Sequence, residues 1–118
     1  MTDILLVSNM MPHIQEALEA RHTLHRLYEA EDKQAFLASV ADKVEGVATM
    51  GKADAALIDA LPNLKIIASF GVGYDGVDAA HAASRNVIAT NTPNVLNDDV
   101  ANMAVMLVLT CSRRFSEW

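Results

Sequence analysis

The residues best placed to do chemistry in this chain are Gly71-Val72-Gly73-Tyr74-Asp75-Gly76, with Asp78 just beyond. They follow an apolar run, Leu64-Lys65-Ile66-Ile67-Ala68-Ser69-Phe70, that reads as a fully buried strand. They precede an alanine-rich helical stretch at 79–84. A strand that enters a glycine turn and leaves it as a helix directs backbone N–H groups outward at the strand's carboxyl end. The positive end of the next helix adds to their field, so the chemistry on offer is capture of a small anion.

Three readings of the turn stand side by side. The glycines at 71, 73 and 76 spell G-x-G-x-x-G, the dinucleotide fingerprint, with Asp98 about 20 residues on. Against it, the fingerprint belongs after the first strand of its unit, and here a single strand follows. The end of that strand carries Asn91 where an acidic residue is needed, and Tyr74-Asp75 is a bulky, charged pair to set under a pyrophosphate. The second reading is a plain tight turn that uses glycine for its backbone freedom. The third is a cradle for a small carboxylate, with the N–H groups of Val72 and Gly73 aimed at it.

The other reactive side chains form no site. His13, His22, His25 and His81 fall in no known metal spacing, and the His22/His25 pair, even with Tyr28 and Glu29 nearby, reads as strand surface. Met103 and Met106 read as packing. Arg113 and Arg114 sit where a helix end favours positive charge. Cys111 is alone, so no internal disulfide is available, in keeping with a reducing compartment.

These groups are positioned by a regular alternation of elements. The apolar runs at 4–7 and 64–70 read as strands, as do 44–49 and 87–90, with 22–28 a weaker edge strand. Helices are expected between them. The first opens at Pro12, with Ile14, Ala17 and Leu18 inward. The second follows Glu31-Asp32, with Phe36, Leu37 and Val40 buried. The third spans 54–61 and is stopped by Pro62, with Leu57, Ile58 and Leu61 buried. The fourth spans 77–84 and is capped by Asn86. The fifth spans 98–114. Strict strand–helix alternation implies a parallel sheet with helices on both faces. Five strands suit a flavodoxin-like three-layer α/β sandwich in the order 2-1-3-4-5. Ligands then sit beyond the strands' carboxyl ends, at Ser8-Asn9, Thr49-Met50-Gly51, 70–73 and 91–94.

At 118 residues the chain is expected to be one domain, and 52% hydrophobic with 20% charged residues is a globular composition. A net charge of −6 without a basic stripe argues against nucleic acid or an anionic membrane as partner. The start has no basic leader region, and the longest apolar run, 103–109, is too short to span a bilayer. The expectation is a cytoplasmic protein.

From Val44 onward the chain resembles the substrate-binding domain of the D-isomer-specific 2-hydroxyacid dehydrogenases, and within them the glyoxylate/hydroxypyruvate reductases. The resemblance lies in ALIDALPNLKIIASFGVGYDGVD (56–78) and NTPNVLNDDVANMAVMLVL (91–109), while residues 1–43 fit the same domain only by pattern. It favours the carboxylate cradle. It implies substrate contacts at the glycine turn, from Gly71, Val72 and Gly73, and closure over the substrate by Met50 and Gly51. It implies Asn97 and Val100 as neighbours of a nicotinamide cofactor, NAD or NADP. The family usually has Asn where this chain has Gly76, which makes the third glycine of the apparent fingerprint incidental.

The same resemblance says what this chain lacks. In the family a second, Rossmann domain carries the dinucleotide fingerprint, a carboxylate-clamping Arg and a His–Glu pair. After Gly76 there is no further glycine, so a second phosphate loop is absent. No catalytic residue and no metal ligand is therefore expected here, and the chain ends where the family's segment leads into the cofactor domain, as an excised or truncated domain would. The implied partners are a small 2-oxo or 2-hydroxy acid and the missing cofactor domain. Activity is expected of the parent protein and not of this chain alone.

The alternative is a non-catalytic flavodoxin-like module. A receiver domain needs acidic residues where Ser8-Asn9 and Thr49-Met50 stand, and a flavin-binding module needs glycine in the loop at 8–13. The last helix is apolar nearly all round, so one face is expected on the sheet and the other on a partner. For the isolated chain that implies a homodimer, unless residues 113–118 fold back with Phe115 and Trp118 as a cover.

Overall fold

The computed structural model describes residues 1–117. Strands β1 (Thr2–Leu6), β2 (His22–Arg26), β3 (Val44–Thr49), β4 (Ile66–Ser69) and β5 (Ile88–Thr90) alternate with helices α1 (Pro12–Glu19), α2 (Lys33–Val40), α3 (Ala55–Ala60), α4 (Ala79–Ser84) and α5 (Asn97–Ser112). All strand pairs are parallel, in the order β2-β1-β3-β4-β5. The expected doubly wound order is present, and the carboxyl ends of β1, β3, β4 and β5 share one edge.

Local chemistry fixes most boundaries. Asp32, Asp54 and Asp78 cap α2, α3 and α4, each carboxylate accepting the N–H three residues on. Pro12 opens α1. Asn86 takes φ of 58° beyond α4, the left-handed conformation that ends helices. The edge strand is shorter than its sequence suggests, because Leu27–Glu29 turn into a single 3₁₀ turn that buries Leu27. In α1, Ile14 and Leu18 pack inward while Ala17 is exposed.

One sheet face is closed by α2, α3 and α4, over a core that includes Leu5, Val47, Ile58, Leu61 and Ile67. The opposite face carries Leu6, Ala48 and Met10 under Ile14, Leu18 and Tyr28, so α1 covers β1 and β3. Beyond Ala48 that face is open. Register places Ile66 beside Ile88 and Ala68 beside Thr90, and Ile88 is 63% exposed. Parallel sheets are normally covered on both faces.

The expected cover was α5, and here the structure differs from the sequence reading. No residue of α5 is buried, and among the described residues its main packing partner is the 3₁₀ turn Phe115–Glu117 that follows it. Asn94, at φ of 65°, turns the chain before the helix begins, and the molecule extends to 57 × 30 × 26 Å. The physical reason is in the composition. A helix apolar all round has no single stripe to register it on its own sheet. Nor does the C-terminal turn fold back as a cover, since Phe115 is 73% exposed, while Trp118 lies outside the described residues. No helix among the described residues is long and apolar enough to cross a membrane.

Candidate functional site

The site is built from two turns at adjacent strand ends. The first, Met50-Gly51-Lys52, follows β3. Thr49, fully buried, donates its hydroxyl to the Lys52 carbonyl at 2.8 Å and accepts the Lys52 N–H at 3.1 Å. Ser8, at the end of β1, accepts the Met50 N–H at 3.2 Å. Gly51 has φ of 96°, so a side chain there would strain the backbone although space is open around it.

The second turn is 71–76. The Gly71 carbonyl accepts the Thr92 N–H at 2.9 Å, and the Val72 carbonyl accepts the Asn91 side-chain N–H at 2.8 Å. A trans peptide puts its N–H opposite its carbonyl, so the Gly73 N–H points away from Asn91. Among the described residues the N–H groups of Val72 and Gly73 meet no acceptor. The N–H groups of Gly71, Tyr74, Asp75 and Gly76 are likewise unpaired, so the turn presents a run of free donors, and those of Val72 and Gly73 belong to peptides whose carbonyls are fixed by Thr92 and Asn91.

The two turns are joined. Ala53 and Val77 form an isolated parallel bridge, in which the Ala53 N–H donates to the Gly76 carbonyl and the Asp78 N–H to the Ala53 carbonyl, both at 2.9 Å. The bridge links the turn that holds Met50 and Gly51 to the far end of the turn that holds Gly71, Val72 and Gly73. It does not tie Asn97 or Val100 to them. Asn97 donates to the Asn94 side chain at 3.2 Å, and Val100 stands 62% exposed in the first turn of α5.

Several residues that organise the site escaped the sequence reading. The sequence places Ser8, Thr49 and Asn91 at strand ends where ligands sit but does not show what each one bonds. The available signal was their shared position, since each polar group sits where a strand stops. Asp78 is a helix cap, so its carboxylate is committed to the His81 N–H at 3.0 Å. His25 bonds Asp3 across the β1–β2 edge at 2.9 Å. The shifted titrations lie away from the cleft. His81, and then Arg85, hold the Asp59 carboxyl below the usual range between α3 and α4, and Glu19 raises Arg26.

Two features set the glycine turn apart from a dinucleotide fingerprint. Gly76 is packed against the Met50–Lys52 turn, and Asn91, where an acidic residue would take a ribose hydroxyl, is bonded to Val72. What the geometry does offer is a run of free backbone donors at the end of β4.

The chain belongs to the D-isomer specific 2-hydroxyacid dehydrogenase family, whose catalytic-domain model matches residues 4–115. It is 40% identical over 116 residues to a hydroxyphenylpyruvate reductase of Plectranthus scutellarioides, covering 97% of this chain and 37% of that protein. Its fold is similar to that of a 2-hydroxyacid dehydrogenase from Ketogulonicigenium vulgare, with a TM-score of 0.90 and 43% identity over 99% of this chain and 38% of that one. It also resembles an NADPH-dependent glyoxylate/hydroxypyruvate reductase from Sinorhizobium meliloti, solved with NADP and malonate, at a TM-score of 0.76 and 36% identity over 92% of this chain and 34% of that one. The chain therefore spans well under half the length of the relatives it matches.

Proposed function

We propose that this chain is the substrate-binding domain of an NAD(P)-dependent oxidoreductase that reduces a small 2-oxo acid, of the glyoxylate or hydroxypyruvate type, to the D-2-hydroxy acid. The observation that carries the reading is the pair of free N–H groups at Val72 and Gly73, clamped from behind by Asn91 and Thr92. The cradle takes the carboxylate, and Met50 and Gly51 close over the 2-oxo group from the neighbouring turn. A bound nicotinamide would supply the hydride that reduction of the 2-oxo carbon needs, and an acid outside this chain the proton. This chain's own share is orientation, the conversion of a collision into a fixed approach. Asn97 and Val100, exposed at the start of α5, are the residues offered to the cofactor, and a Rossmann domain in the rest of the polypeptide would hold its phosphates.

The direct test is hydride transfer by the full-length protein, with NADH and NADPH, to glyoxylate, hydroxypyruvate and a bulkier 2-oxo acid. Turnover with at least one, giving the D-product, is the expected result. Failure with all of them would end this reading.

The exposed α5 supports a second expectation, that the 118-residue chain pairs with a second copy through this helix. Val100, Met103, Met106, Leu107 and Leu109 are all more than half exposed or close to it. Covering two or three of them recovers about 1.5–3 kcal/mol each, comparable with a small domain's margin of stability. Sedimentation equilibrium is expected to show a dimer that dissociates in Met106→Glu. A clean monomer at high concentration would defeat the pairing, and a variant still dimeric would move it off α5.

A further inference from the structure

Gly76 has no place in an anion cradle, and by sequence its glycine looks incidental. Its surroundings say otherwise. A Cβ built at 76 would run into the carbonyl oxygen of Gly51, with the Gly51 carbonyl carbon at 3.2 Å and Lys52 Cα at 3.7 Å. All three are backbone atoms, so no side chain can swing aside. Nothing comparable surrounds Gly71 or Gly73. The contact lies next to the two hydrogen bonds that join Ala53 to Gly76 and Asp78. The Gly51 side of the contact has little freedom to retreat, because Thr49 bonds Lys52 in both directions and Ser8 holds Met50.

We propose that Gly76 is a positioning residue for the 2-oxo acid. The missing side chain lets the Gly51 carbonyl seat against it, which fixes the spacing of the two turns, and that spacing sets which 2-oxo acids fit. The proposal rests on the substrate reading above. A Cβ at 76 meets only backbone, so the spacing of the two turns has to change, and a misplacement of about 1 Å costs up to 100-fold in rate. A wider gap penalises the shortest substrate most. In the full-length protein, Gly76→Ala is expected to lower kcat/KM for glyoxylate by about 10- to 100-fold, and for a bulkier 2-oxo acid by at least several-fold less.

The change in ratio is the decisive readout, since loss of folded protein lowers both substrates equally. A folded Gly76→Ala variant with an unchanged ratio overturns the proposal. Amide hydrogen exchange on the unaltered full-length protein provides a test that does not depend on the variant folding. Saturating oxalate, a non-reducible glyoxylate analogue, is expected to slow exchange at Ala53 and Asp78 together. Oxalate that inhibits the enzyme but leaves both amides unchanged overturns the coupling. An unaltered protein that neither reduces 2-oxo acids nor binds oxalate sinks the substrate reading itself, a distinct outcome.

Discussion

Gly73→Val in the full-length protein is expected to lower kcat/KM for a 2-oxo acid by about 100-fold or more. The space beside Gly73 is open, with no heavy atom within 4 Å of a Cβ built there. Its φ lies outside the left-handed region, so valine strains nothing in the protein. A change of this kind alters stability by about 0.5 kcal/mol or less. The open space is, on this account, the approach route of the carboxylate, and the branched side chain occupies it. Steady-state kinetics together with a urea melt separate the two effects. An unaltered melt with a collapsed kcat/KM is the expected pair of results, while unaltered kinetics would remove Gly73 from the site.

The isolated 118-residue chain is expected to transfer no hydride above background from NADH or NADPH to glyoxylate or hydroxypyruvate. The glycine turn is set apart from a dinucleotide fingerprint, and the described residues hold no acid–base pair at the cleft. The carboxylate cradle alone orients one reactant of two, and orientation acts only when both are present. The assay is absorbance of the reduced nicotinamide with purified chain. Turnover that co-purifies with the chain would mean that it binds the cofactor by itself, against the division of labour proposed here.

How far the sequence reveals this molecule depends on where each constraint resides. The strand Val44–Thr49 matches its sequence boundaries because Val44, Val47 and Ala48 are buried on the two faces of a central strand and Met50-Gly51 turn the chain at its end. The caps at Asp32, Asp54 and Asp78 are readable for a similar reason, as each satisfies donors three residues away. The glycine turn is legible as a turn between β4 and α4 because strand, glycine and helix are consecutive in the chain. What was not legible is long-range. Asn91 reaches back 19 residues to Val72, and Ser8 reaches 42 residues forward to Met50. The importance of Gly76 likewise comes from Gly51, on another turn. The departure of α5 from the sheet was missed because its composition says that it must be buried, but not by what.

The central claim is that the backbone of this chain holds the substrate carboxylate, and it is tested most directly at the two donors themselves. With ¹⁵N-valine and ¹⁵N-glycine incorporated in the full-length protein and the cofactor bound, oxalate is added and the amide signals of Val72 and Gly73 are followed. The account predicts that both move downfield together and saturate at the concentration at which oxalate inhibits, as expected for N–H groups that gain a charged acceptor. Inhibition by oxalate with both amides unmoved would place the carboxylate elsewhere and contradict it.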